Sequence, residues 1–242
     1  MNKYKILCLI PARSGSKGIP HKNIKKLGGI PLLNWSINQA KSCKYANCIR
    51  IIVSTDSEEY AEIAKKGGAE VPFLRPESIS ADLSTDYEFI SHSLSFLREN
   101  EKYIPDIVLQ LRPTQPLRKV SDIDKCLDIF IENYDEYDSL RTVVPFEKSP
   151  FKMYTIKDNQ LTPLFNEVNK IKEPYNQCRQ ILPQTFLHNG YIDIIKASII
   201  KDGVLSGEKI YAYLMDKNDT IDIDTLEDWE KAEKIALSLS NK

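Results

Sequence analysis

An apolar run, Ile6 to Ile10, passes without a break into Pro11-Ala12-Arg13-Ser14-Gly15-Ser16-Lys17-Gly18, and His21-Lys22-Asn23 follows close behind. This junction constrains the fold more than any other stretch. A strand that empties into a glycine-bearing cationic loop fits the carboxyl edge of an open α/β sheet, where such sheets bind ligands. Glycine lets the backbone approach an anion, successive N–H groups can form a nest, and Arg13, Lys17 and Lys22 supply charge. The chemistry suits a polyphosphate. Neither the Walker spacing nor the GxGxxG fingerprint is present. Judged by composition alone the stretch reads as a solvated basic turn; its place after the first strand argues for binding.

Cationic residues do not dominate the rest of the chain. Lys plus Arg number 33 against 34 Asp plus Glu in 242 residues. That balance argues against a broad nucleic-acid-binding face and for cations focused at one site. The five cysteines show no CxxC spacing, and an odd count of this kind suits free thiols in a reducing compartment. No apolar run approaches the ~18 residues of a membrane span, and the apolar start is too short for a signal peptide. A cytoplasmic location with no membrane partner is expected.

Strands and helices alternate along the chain. Strands are expected at Lys5–Ile10, Ile49–Ser54, Val71–Leu74 and Ile107–Leu111, and helices at Pro31–Cys43, Glu58–Lys66, Asp86–Glu99 and Val120–Asn133. Ser57 is placed to cap the second helix, and Gly67-Gly68 to stop it. Continuous apolar strands in βα alternation predict an α/β fold with a doubly wound, mostly parallel sheet. The pattern breaks between about Asp138 and Pro183. A strand at 139–144 leads into proline-bearing extended sequence with a turn signal at Lys157-Asp158-Asn159-Gln160. The expectation is one domain, residues 1–242, with an inserted arm at about 146–183 offering a dimer surface. The α/β pattern returns at Gly190–Ile195 and Ile210–Leu214.

A second chemical signal is Thr220-Ile221-Asp222-Ile223-Asp224-Thr225. In a strand, Asp222 and Asp224 share a side while Ile221 and Ile223 face the other. Two carboxylates without histidine or thiolate neighbours are hard oxygen ligands suited to Mg²⁺, which commonly completes its shell with water and substrate phosphates. An aspartate ahead of a helix is also commonly a cap. Thr225 is expected to cap the last helix, with Asp228 as its capping-box partner.

These two signals recur with Val53-Ser54-Thr55-Asp56, Arg75-Pro76, Arg112-Pro113-Thr114-Gln115-Pro116-Leu117-Arg118, Arg179-Gln180-Ile181-Leu182-Pro183 and Asn189-Gly190. On these motifs essentially the whole chain resembles the acylneuraminate cytidylyltransferases, which activate sialic acids and related nine-carbon keto-sugar acids as CMP derivatives. The resemblance implies a Rossmann-like nucleotidyltransferase fold, a homodimer, and Mg²⁺-dependent transfer of CMP from CTP with release of pyrophosphate. It further implies that Ala12, Arg13, Ser14, Gly15, Ser16 and Lys17 surround the nucleotide. Arg13 and Lys17 would grip the triphosphate, Lys22 would lie near the α-phosphate and Asn23 at the ribose. Arg75 and the backbone near Ser84 would read the cytosine, while Asp222 and Asp224 would hold Mg²⁺. Asp86, Arg112, Arg179, Gln180 and Asn189 would face the sugar acid, with Arg179 and Gln180 acting across the dimer. Such transfer needs positioning and charge neutralisation and no nucleophilic side chain, because the sugar's anomeric hydroxyl attacks the α-phosphorus.

Two departures bear on the sugar. Sialate-specific members commonly carry glutamine where Arg112 stands and serine where Gln115 stands, and an expected small serine after Ser84 is Asp86. Arg112 can bind a sugar carboxylate bidentately. Asp86 can accept from sugar hydroxyls or an amine, pair with Arg112, or cap the helix beginning near Tyr87. Two further readings stay beside the leading one: a nucleotidyltransferase using a sugar 1-phosphate or another nucleotide, and a nucleotide-binding regulatory protein without catalysis. Retention of every charged position in the loop and the carboxylate pair counts against the last.

Overall fold

The computed structural model describes residues 3–216 and 220–240. Strand β1 (Ile6–Pro11) is an inner strand of the central sheet. Leu7 and Leu9 point into one apolar cluster, and Ile6, Cys8 and Ile10 into another on the opposite face. A strand buried on both sides must be apolar at every position, which is why the run has no alternation. After β1 come the two-residue strands β2 (Lys26–Leu27) and β3 (Ile30–Pro31), a tight pair around Gly28-Gly29. Helix α1 (Leu32–Ser42), β4 (Ile49–Ser54) and α2 (Glu58–Gly67) follow. Helix α3 (Asp86–Glu101), β5 (Ile107–Gln110) and α4 (Val120–Glu132) complete the first half.

The second half opens with β6 (Ser139–Phe146), passes through β7 (Tyr154–Lys157), β8 (Gln160–Pro163), β9 (Glu167–Val168) and β10 (Ile171–Lys172), and returns on the long β11 (Thr185–Lys196). It closes with β12 (Ile210–Leu214) and α5 (Leu226–Ser240). The six-stranded sheet has the order β12-β6-β11-β5-β1-β4. β4, β1 and β5 pair parallel, as do β6 and β12, and β11 is antiparallel to both its neighbours. Of these six strands only β11 therefore runs against the rest. Leu33 and Ile37 of α1, Tyr60 of α2, and Ile123 and Phe130 of α4 pack on one face, and Phe89, Ile90 and Leu97 of α3 on the other. Each such side chain, once buried, contributes on the order of 1.5–3 kcal/mol.

Helix ends follow local chemistry. The Ser57 hydroxyl accepts from the Tyr60 N–H, and Gly68 ends α2 in the left-handed region at φ 92°. Thr85, not Asp86, caps α3, in a capping box closed by Glu88. Thr225 and Asp228 form the expected box at α5.

Two expectations are corrected. Val71–Leu74 forms no strand: Glu70 alone bridges Ile52, and the chain then turns so that the Arg75 N–H bonds the Thr55 carbonyl at 2.7 Å. Residues 220–225 join no sheet. Ile223 is instead pinned by its N–H to the Thr114 carbonyl, 2.9 Å, and by packing with Trp229 and Ala232 of α5. The region between β6 and β11 turns where the signal at 157–160 places a turn. It holds two small hairpins whose turns, Asp158-Asn159 and Asn169-Lys170, all have positive φ. Asparagine and aspartate tolerate that region better than most residues. Among the described residues no helix is long and apolar enough to cross a membrane.

Candidate active site

The loop after β1 is tied down at several points. The Ala12 N–H bonds the Ser54 carbonyl on β4 at 2.9 Å, and both the N–H and the hydroxyl of Ser14 donate to Asp56 at 2.7 Å. Buried Asn23 donates its amide to the Arg13 carbonyl at 2.9 Å. Gly18 touches the distant segment that carries the carboxylate pair: a Cβ there would collide with the Asp224 carbonyl oxygen. Lys22 bonds the same segment, donating to the Ile223 carbonyl at 2.6 Å and to the Asp224 carboxylate at 3.1 Å. The two signals of the sequence thus meet at one place.

They meet around a cleft of about 350 Å³ at the carboxyl end of β1. Arg13, Ser16, Lys17, Lys22 and Asn23 line one side, and Arg75, Ser84, Asp86, Arg112 and Asp224 complete it with Thr114. Ala12 is buried beneath the loop, while Ser14 is turned to Asp56. The α-carbon of Gly15 faces open space.

Asp82, from the segment before α3, bridges Arg13 at 3.1 Å and Lys17 at 2.6 Å. Hydrogen bonds and charge from these two cations, Lys17 first, hold its carboxyl below the usual range. Arg75 donates to the Ser54 hydroxyl at 3.0 Å and the Ser54 carbonyl at 2.6 Å, and lies over the Phe89 ring. Burial pushes it down to about 10, so it stays charged at neutral pH. Asp222 shifts upward, first through its enclosure by protein and then through Asp224, with a Thr114 hydrogen bond, Lys22 and Arg112 opposing. Among the described residues no group of three or more His, Cys, Asp or Glu side chains could hold a metal on its own.

Beyond the cleft wall lies a charged network. Fully buried Asp193 of β11 accepts from Arg112, from Arg141 at 3.0 Å and from His188 at 2.7 Å. The hydrogen bond from His188 and the charges of Arg112 and Arg141 outweigh burial and hold its carboxyl far below the usual range. Arg112 reaches on to Asp86 at 2.5 Å. Asn189 sits in the β11 irregularity, its side chain accepting from Thr142 at 2.7 Å and its carbonyl from Gln115 at 2.8 Å. Arg179 and Gln180 do not line this cleft. They line a second cavity of about 450 Å³ at the base of the arm, with Phe146 and Gln184.

Sequence reading assigned no role to Asp82, Asp193, Arg141 or His188. Asp82 had no signal beyond a lone acid in a polar stretch. Asp193 had one: a charged residue inside the apolar run Tyr191-Ile192-Asp193-Ile194-Ile195 is buried at a cost unless it is paired.

A family model described as cytidylyltransferase matches residues 7–236. The post-translational flagellin modification protein B of Campylobacter coli is 32% identical over 231 residues, covering 95% of this chain and 94% of that protein. The pseudaminic acid cytidylyltransferase of Campylobacter jejuni serotype O:2 is 30% identical, covering 94% of each. The N-acylneuraminate cytidylyltransferase of Escherichia coli O18:K1:H7 is 33% identical over 95% of this chain, which spans only 52% of that longer protein. Among solved structures, a CMP:2-keto-3-deoxy-manno-octonic acid synthetase complexed with CTP superposes with a TM-score of 0.68 at 14% identity, over 97% of this chain and 99% of the other. A 4-diphosphocytidyl-2C-methyl-D-erythritol synthase from Anaerococcus prevotii superposes with a TM-score of 0.60 at 12% identity, over 100% of both. At those identities the likeness concerns the fold.

Proposed function

The chain belongs to the cytidylyltransferase family, and from that premise we propose that it transfers the cytidylyl group of CTP to a keto-sugar acid of the sialic or pseudaminic type. The observation that carries this reading is the meeting of Arg13, Lys17 and Lys22 with Asp224 in one cleft beside Arg75. Relatives named for N-acylneuraminate and pseudaminic acid support the acceptor class.

In this reaction the sugar's anomeric hydroxyl attacks the α-phosphorus, a new P–O bond forms as the hydroxyl's proton passes to solvent, and the bond to the β-phosphate oxygen breaks to release pyrophosphate. Arg13 and Lys17 bind the triphosphate once Asp82 gives way. Lys22, side-on to the cleft and only 12% exposed, neutralises charge where it develops. Asn23, fixed on the Arg13 carbonyl, keeps the loop backbone in register for the nucleotide. Arg75, clamped by Ser54 and Phe89, lines the cleft where the base is expected, near Ser84.

Asp222 and Asp224 fit Mg²⁺. They are hard oxygen donors, and each favours a neighbouring cation: Asp222 is raised in part by Asp224, and Asp224 already holds Lys22. Two carboxylates with substrate phosphates and water make up a usual magnesium shell. Held there by Asp222 and Asp224, the ion would supply charge neutralisation to the leaving pyrophosphate.

We place a second copy of the chain on the arm. Ile156, Leu161, Leu164 and Phe165 are exposed there, and an apolar cluster of that kind on a small double hairpin calls for a partner. Arg179 and Gln180, at the arm's base, then face that partner. The test of the reaction is a pyrophosphate-release screen of CTP, UTP, GTP and ATP against sugar acids. CTP-specific release supports it, and release with another nucleotide in preference to CTP overturns it.

A further inference from the structure

Arg112 stands between two carboxylates. One of its terminal nitrogens meets Asp193, which is fully buried in the sheet, and the other meets Asp86 on the first turn of α3, 2.5 Å away. Its backbone is held as well: the Arg112 carbonyl accepts from Arg118 at 3.0 Å, and buried Arg118 is locked by Gln39 at 2.6 Å. Gly190, at φ 64°, brings its chain against the Arg112 guanidinium, where a Cβ would stand 3.4 Å from two of its side-chain atoms. The guanidinium is therefore fixed in place by groups on β11 and α3, and its backbone by Arg118.

The charges in this chain of contacts cancel. Asp86 and Asp193 balance Arg112 and Arg141, with His188 hydrogen-bonded to Asp193 at the far end. Arg112 thus offers little net positive field to a ligand carboxylate, since both its terminal nitrogens are already engaged. Arg112 and Asp86 of this network both line the cleft, and the Asp86 carboxylate, 37% exposed against 21% for Arg112, is the more open of the two and keeps acceptor lone pairs to spare. An ionised carboxylate accepts and does not donate. Gln110, the register partner of Asp193 on β5, is also fully buried beside this network with both its amide atoms unpartnered among the described residues. This end of the sheet carries more polar groups than its own contacts use.

We infer that Asp86 is the specificity-determining residue for the sugar acid. It demands a hydrogen-bond donor, a hydroxyl or N–H, on the acceptor at that wall, and Asp193 is the positioning residue that aims it through Arg112. The inference rests on the proposed reaction and deepens it. The acceptor carboxylate is then recognised elsewhere, and the discriminating contact lies at a donor-bearing carbon. An acceptor in which that carbon bears hydrogen leaves the Asp86 lone pairs that face the cleft without a donor, and sites built to bind a polar group reject such analogues strongly.

The test measures acceptor KM, CTP KM and kcat by pyrophosphate release for wild type, Asp86→Asn, Asp193→Asn and the double variant. It uses an active sugar acid and its single-deoxy and single-deamino analogues. The expected result is an acceptor KM raised about tenfold or more in each single variant, with CTP KM within about threefold of wild type. The double variant should be no worse than the poorer single one, because both act through Arg112. Asp86→Asn should also lose discrimination against one analogue, which a merely structural role would not produce. Unchanged acceptor KM and unchanged analogue discrimination in Asp86→Asn, a half-exposed site whose variant folds whatever happens at Asp193, overturn this inference alone. Absence of pyrophosphate release by wild type with every acceptor brings down the proposed reaction, and this inference with it.

Discussion

The Lys22 ammonium donates to the Asp224 carboxylate across 3.1 Å, joining positions 202 residues apart in the chain. The pair closes the cleft between the loop after β1 and the segment before α5, so both ends of the sequence build one site. Asp224 is largely exposed, and such a pair adds little to stability. Asp224→Asn should therefore leave the melting temperature nearly unchanged while lowering kcat by about a hundredfold or more. Activity titrated against Mg²⁺ checks this; near-wild-type turnover at ordinary metal concentration would make the pair structural.

Asp82 occupies Arg13 and Lys17, the cations proposed to bind the triphosphate. Its removal in Asp82→Asn frees Arg13 and Lys17 and should lower the KM for CTP by roughly two- to fivefold, the scale of an exposed ion pair. Arg13→Ala and Lys17→Ala should raise it strongly, whereas Lys26→Ala, beyond the loop on β2, should not. Initial-rate kinetics at constant ionic strength separate a cradle from a diffuse basic surface.

Gly18→Ala tests the close approach of the two segments. Its Cβ has no room against the Asp224 carbonyl, so the loop and the carboxylate pair must part. Turnover should fall about tenfold or more, since a displacement near 1 Å is costly to positioned chemistry. Gly15→Ala, facing open space, should preserve the melting temperature and serves as the folding comparison.

Stability should depend on pH through Asp193. Its folded carboxyl lies below the unfolded value near 3.9, so its contribution is complete above about pH 5 and is lost as pH falls through the acid range. Asp193→Asn takes the buried counter-charge from Arg141 and leaves Arg112 only Asp86, and should cost about 3–5 kcal/mol at neutral pH. It should also flatten the dependence of melting temperature on pH below about 5. Thermal melts of both proteins across that range check the sign.

The arm should hold a homodimer. Ile156→Asp with Leu161→Asp should shift the protein to monomer in sedimentation. Mixing Asp224→Asn with Arg179→Ala subunits should restore some activity if Arg179 serves the partner's site. No recovery in verified heterodimers would confine Arg179 to its own arm.

The first half of the fold was legible because its elements are locally determined. β1, β4, β5 and helices α1 to α4 begin and end within about two residues of expectation, set by continuous apolar runs and by caps such as Ser57 and Gly68. What escaped was decided by tertiary contact. Val71–Leu74 has strand-forming residues, but the Arg75 N–H is drawn to the Thr55 carbonyl and the chain leaves the edge of β4. The Asp222–Asp224 segment keeps its alternation without a sheet, because Ile223 is held by Thr114 and α5. The cationic loop and the carboxylate pair could be read as motifs. Asp82 could not, since Arg13 and Lys17 lie far off in sequence; for Asp193 only its burial was legible, because Arg112 and Arg141 are distant.

The most direct test of the central claim is acceptor-dependent pyrophosphate release from CTP by the purified protein, run with N-acylneuraminate, pseudaminic acid and matched sugar 1-phosphates. The account predicts release with CTP and at least one free sugar acid, abolished by Lys22→Ala, and none with the sugar phosphates. Release that requires a sugar 1-phosphate, or that persists in Lys22→Ala, would contradict it.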